Sequence, residues 1–155
     1  MTTMAPAYIA KFGGVLGVAA AFVGTTSQSG RAVDTCGYSH ASCYFLFGNV
    51  AGTVSSSITI TVEESADGST GWTAITGATS GTLATTDASA YDDGVVCIVI
   101  NLLSGSRLRY LRVKATPAGS ADLGQCAAFI ALSEGGEAIP TSTTSGARFQ
   151  RVVVV

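Results

Sequence analysis

The sequence predicts an all-β protein: a single antiparallel β-sandwich, expected to be jelly-roll-like, with an extended apolar N-terminal arm. Three observations carry that expectation. The 155 residues include 19 Gly, 19 Thr and 17 Ser, while charged residues reach only 12% against about 25% in an average soluble chain. Strand-forming β-branched residues therefore outweigh the Glu, Lys and Gln that build helices. Short apolar or alternating runs recur between turn signals from Ser42 onward, which is how an all-β chain reads. Finally, the chain has one domain's length, enough to bury roughly two-thirds of its unfolded surface in one core. Its expected divisions are an arm over residues 1–33, the sandwich over 34–140, and a C-terminal strand or tail over 141–155.

Residues 43–47 (CYFLF) form a continuous apolar run closed by Gly48-Asn49 and read as a buried strand. Residues 57–64 alternate cleanly, with Ile58, Ile60 and Val62 on one face and Thr59, Thr61 and Glu63 on the other, the pattern of a half-buried antiparallel strand. Asp67-Gly68 then supplies a turn whose glycine is free to take a positive φ, and residues 72–75 (WTAI) return as the second arm of a hairpin. Residues 76–94 carry few large apolar groups and read as a loop with at most a short strand near Leu83. Residues 95–102 (VVCIVINL) are a second buried strand. After a turn at 103–106, residues 107–116 alternate, Leu108, Tyr110, Arg112 and Lys114 against Arg107, Arg109, Leu111 and Val113, and Pro117 closes them. Residues 123–132 (LGQCAAFIAL) read as a strand, their alanines leaving helix as the weaker alternative. Residues 148–155 end as a β-branched strand.

Residues 11–24 (KFGGVLGVAAAFVG) have the outline of a secretory signal, with one basic residue, an apolar stretch and an Ala19-Ala20-Ala21 run. The apolar run of about 12 residues is too short for a membrane span, which needs about 20. Gly13, Gly14 and Gly17 weaken it as a helix. It is expected to be an arm that packs on its own domain or on a neighbouring subunit, and both remain open. A secreted β-domain cleaved near Ala21, with oxidised cysteines, is a further alternative.

The chemistry-bearing residues are few. The net charge of −2 and the two lysines exclude a protein whose main task is to coat nucleic acid. His40 lies between Cys36 and Cys43 as C-x3-H-x2-C without a second half, so no structural zinc site is expected; Cys43, Cys97 and Cys126 read as reduced, buried thiols. Glu63 and Glu64 point to opposite faces of one strand and cannot form a dyad without a bulge. Asp87, Asp92 and Asp93 read as solvated loop acids rather than calcium ligands. No nucleophile elbow is present and a single histidine would have to serve as base, so no enzyme and no cofactor is expected. Arg107, Arg109, Arg112 and Lys114 hold half of the basic charge and are expected to form solvent-facing or intersubunit salt bridges. Trp72 reads as core or edge packing, with sugar stacking as the alternative.

The ordered set CGYSHASCYFLFGNVAG, SITITVEESADGSTGWTAI, RLRYLRVKAT and QCAAFIALSEG resembles a family of tailed-phage head proteins, the capsid decoration or cement proteins. The resemblance covers about residues 34–134, roughly two-thirds of the chain. It implies a non-enzymatic virion protein, made in the host cytoplasm, that sits on the outer capsid surface, binds the major capsid protein and neighbouring copies, and assembles as a homotrimer. No nucleic-acid or membrane partner is expected. Within that role Tyr8, Phe12, Val15, Leu16 and Phe22 of the arm, with Arg107, Arg109 and Arg112, are the expected protein-interface residues. A carbohydrate-binding or adhesive module of a tail, fibre or cell surface is the alternative.

Overall fold

The computed structural model describes residues 24–48, 56–84, 94–105, 107–124 and 126–133, and the backbone of 149–154. Nine strands follow in chain order: β1 (Gln28–Ser29), β2 (Val33–Asp34), β3 (His40–Leu46), β4 (Ser57–Ser65), β5 (Thr73–Ala84), β6 (Val95–Asn101), β7 (Tyr110–Ala118), β8 (Ala127–Ser133) and β9 (Phe149–Val154). The described residues contain no helix, and residues 127–133 are strand despite their alanines.

The strands form two sheets. One runs β1-β7-β4-β5, with β2 following β1 along the same edge of β7; the other runs β8-β3-β6-β9. All pairs are antiparallel except β6 with β9. The pairing is nested. The hairpin β4/β5 is innermost, β3/β6 encloses it, and β1 and β2 with β7 enclose both. Thus one long hairpin has rolled up, its successive pairs falling alternately in the two sheets.

A single core fills the space between the sheets. Ala41, Cys43 and Phe45 of β3 and Val96, Ile98 and Ile100 of β6 meet Ile58, Ile60 and Val62 of β4 and Leu111, Val113 and Ala115 of β7. Each set is spaced by two, as the strand period requires. Phe45 and Phe47 add an edge-on aromatic pair with centroids 4.9 Å apart, the arrangement that ring quadrupoles favour.

Three elements depart from the sequence reading. The stretch 76–84, expected as loop, belongs to β5. Its buried positions Ile75, Ala78, Ser80 and Leu83 are spaced by three, two and three, and its register against β4 shifts twice, so bulges hide the period-two signal. Gly77 and Gly81, with φ of 85° and 66°, supply the left-handed residues such bulges use. Sheet pairing already begins at Gln28, inside the segment assigned to the arm. Pro117 lies within β7 rather than closing it, opposite Ile58 of β4; the pairing with β1 reaches only Ala115, so the missing N–H removes no bond on that side.

Candidate functional site

The two outer faces of the sandwich differ in chemistry. On the β1-β7-β4-β5 sheet the outward positions are polar, because β4 presents Thr59, Thr61 and Glu63 beside Thr116, Lys114 and Arg112 of β7. Glu63 is the centre of this face. Arg112 donates to its Oε2 through Nε at 2.7 Å and lies in a salt bridge at 2.6 Å through its terminal nitrogen, while Lys114 donates to Oε1 at 3.1 Å. The carboxylate is only 9% exposed. Burial pushes its pKa up, but the bonds from Arg112 and Lys114 outweigh that and hold it below the usual range. On its other side Arg112 stacks on Trp72, its guanidinium carbon 4.2 Å from the ring centroid. One face of the indole is thereby covered, which agrees with the packing reading of Trp72.

The neighbouring acid points the other way, as strand geometry requires. Glu64 accepts the Leu108 N–H at 3.1 Å and lies 3.8 Å from Nε of Arg107. Arg109, at the foot of β7, makes a two-pronged contact with Asp34, at 2.9 Å from Nε and 2.7 Å from the terminal nitrogen. That bond, helped by the Cys36 N–H, holds the Asp34 carboxyl down at about 2. The basic cluster seen in the sequence is therefore divided among three carboxylates of its own chain. Tyr8, Phe12, Val15, Leu16 and Phe22 lie outside the described residues, as do Asp87, Asp92 and Asp93.

The hairpin beside Trp72 is locked by its own side chains. Ser65, fully buried, accepts the Gly68 N–H and donates to the Thr70 carbonyl. Asp67 accepts from the Thr70 hydroxyl and from the backbone N–H groups of Thr70 and Ser69, and these bonds hold its carboxyl far below the usual range.

The outer face of the β8-β3-β6 part of the other sheet is uncharged. The register aligns Leu46 with Val95 and Ala127, Tyr44 with Cys97 and Phe129, Ser42 with Val99 and Ala131, and His40 with Asn101 and Ser133. None of these positions carries Asp, Glu, Lys or Arg. Tyr44 and Phe129 stack with centroids 4.7 Å apart, and Cys97 and Val99 are each only 5% exposed although they point away from the core. This face could not be read from any one strand. It arises because three strands with apolar or small outward residues lie side by side.

All four cysteines are free thiols, Cys36 exposed and the others buried. Cys43 stands opposite Ile98 and faces the core, whereas Cys97 stands opposite Tyr44 and faces outward, so these adjacent-strand thiols are on opposite sides of the sheet. Among the described residues no group of three His, Cys, Asp or Glu side chains is placed to hold a metal ion, and no helix is long and apolar enough to cross a membrane. No protein-family model, curated protein or solved structure matches the chain.

Proposed function

We propose that the protein is a structural component of a tailed-phage virion, bound to the outside of the capsid and reinforcing it. The observation that carries this reading is the contrast between the two outer faces. One is polar, with its carboxylates neutralised by cations of the same chain. The other carries the half-buried Tyr44–Phe129 stack among small and aliphatic residues with no charge, Cys97 and Val99 among them being already buried, the composition expected of a contact surface. A decoration protein requires such a docking face on a rigid scaffold and no reaction chemistry.

The nested strand order supports a jelly roll as the finer description of the fold, and it agrees with the resemblance to decoration proteins. In this reading the partners are the major capsid protein and further copies of the chain, in a homotrimer matching the threefold positions of a shell. The arm residues Tyr8, Phe12, Val15, Leu16 and Phe22 extend the docking surface. Each large side chain buried there contributes about 1.5–3 kcal/mol, and many copies on one shell multiply a modest gain.

The test is quantitative mass spectrometry of gradient-purified particles from the source lysate. A fixed stoichiometry to the major capsid protein, with many copies per particle, is expected. A few copies per particle would point to a tail or fibre module, and absence from particles would overturn the reading. Substituting Phe129 by Glu should abolish particle binding while leaving the circular dichroism spectrum intact.

A further inference from the structure

We infer that residues 24–35, which carry β1 and β2, form a clasp that opens on acidification while the sandwich stays folded, baring the edge of β7. The inference concerns the isolated chain and stands or falls apart from particle binding.

The two sides of β7 are held very differently. Toward β4 it is paired at nine successive positions without a break, from Ser57 opposite Ala118 to Ser65 opposite Tyr110. Toward the clasp only Gln28 and Ser29, then Val33 and Asp34, are in register. Four steps of the clasp, from Ser29 to Val33, are matched by three of β7, from Lys114 to Leu111, so the clasp bulges between its two short strands. Pairing interrupted in this way can break without the ladder on the far side of β7.

The core is also built without the clasp. Its buried cluster takes residues from Ala41 onward, and Val33 is only partly buried against it. Thr35 is the one buried residue between 24 and 35. The apolar burial that holds the fold together therefore survives when the clasp leaves, because Leu111, Val113 and Ala115 of β7 stay in the core.

Each end of the clasp is fastened on a carboxylate. At one end Asp122 Oδ1 accepts the N–H of Gly24 at 3.0 Å and that of Gly124 at 2.9 Å. At the other, Asp34 takes the two-pronged contact from Arg109 and accepts the Cys36 N–H at 3.0 Å. Between them the Gly30 N–H donates to the Val113 carbonyl at 2.7 Å, and the N–H and hydroxyl of Thr35 donate to the Arg109 carbonyl at 2.9 and 2.7 Å.

Protonation weakens both fastenings, since a neutral carboxyl is a poorer acceptor and no longer pairs with a guanidinium. Arg109 is the charge that faces Asp34, with Tyr110 opposite it in the register and Cys36 beside it. Asp122 faces backbone N–H groups, with the Cys126 thiol nearby. The bond from Arg109 holds the Asp34 carboxyl down at about 2, so its contribution is complete above the ordinary value of 3.8 and is lost as pH falls toward 2. An exposed pair of this kind is weak, which lets it release the clasp without unfolding the sandwich. Opening frees the backbone groups of alternate β7 residues, Val113 among them, as a strand edge of the kind that pairs with another chain.

Native-state hydrogen exchange on the purified full-length protein, read by NMR in increasing sub-denaturing urea, tests the clasp. At pH 7 the amides of Gly30 and Thr35 should be protected, yet exchange at least about 100-fold faster than those of β3 and β6. They should also respond less to urea, since opening the clasp exposes less surface than unfolding the chain. After correction for the intrinsic pH dependence of exchange, their opening should rise about 3- to 5-fold from pH 5 to pH 3 relative to the β3 and β6 amides. Asparagine keeps an acceptor oxygen but cannot titrate, so Asp34→Asn combined with Asp122→Asn should open more readily at pH 7 and lose the acid response. Clasp amides unprotected at pH 7, exchange in step with β3 and β6, or an acid response unchanged in the double variant would each overturn the proposal. The first two are read on the wild type and do not depend on a variant folding.

Discussion

Arg112 lies over the ring of Trp72, its guanidinium carbon 4.2 Å from the ring centroid, while its nitrogens grip the nearly buried carboxylate of Glu63. One arginine thus joins the hairpin to the middle of the β4-β7 pair. Removing it leaves a largely desolvated carboxylate with Lys114 alone. We predict that Arg112→Ala destabilises the fold by about 2 kcal/mol and moves the emission of the single tryptophan to longer wavelength as water reaches the ring. Arg112→Lys should recover part of the stability but little of the stacking. Urea unfolding followed by fluorescence reads both effects.

Gly68 has φ of +73°, and a Cβ built there would come within 2.9 Å of the Tyr110 ring. Both facts oppose any side chain, the first by backbone strain and the second by overlap. Gly68→Ala should therefore cost about 1–3 kcal/mol. Gly71, also at positive φ but with open space around its Cβ position, should cost less when changed to alanine, and chemical denaturation of the pair separates strain from overlap.

Asp34 and Glu63 are held below the ordinary carboxylate range by arginine and lysine partners in the folded state. The stability they lend is complete above their unfolded values and is lost as pH falls through the folded ones, for Asp34 from 3.8 toward about 2. The unfolding midpoint should hold steady down to about pH 5 and decline below about pH 4. Asp34→Asn and Glu63→Gln should each be less stable near neutrality and should flatten that decline.

Thiol reactivity should divide one against three. Burial raises the Cys43 and Cys97 thiols and lifts Cys126 to about 11, whereas Cys36 is exposed. A disulfide-exchange reagent should titrate one thiol in the native protein and the remaining three only after denaturation. A nonreducing mass spectrum of the native protein should show no intramolecular disulfide.

Alternation made β4 readable, and the Asp67-Gly68 turn made its hairpin readable, because both signals are local. Residues 76–84 were not readable as strand, since two bulges break the period that would reveal them. Arg107, Arg109 and Arg112 stood out as a basic cluster, but their carboxylate partners come from β2 and β4, far away in the chain, and no spacing rule connects Arg109 with Asp34.

By itself the sequence determined the β class, the positions of most strands, the two faces of β4, and the reduced state expected of the thiols. These follow from side-chain volume, branching and period two, which act over a few residues. Only the tertiary structure decided the nesting of the pairs, the pairing of Arg107, Arg109, Arg112 and Lys114 with carboxylates, and the division into a polar and an uncharged outer face. Those depend on which strands become neighbours, and strand neighbours are chosen by burying one shared core, a property of the whole chain rather than of any segment.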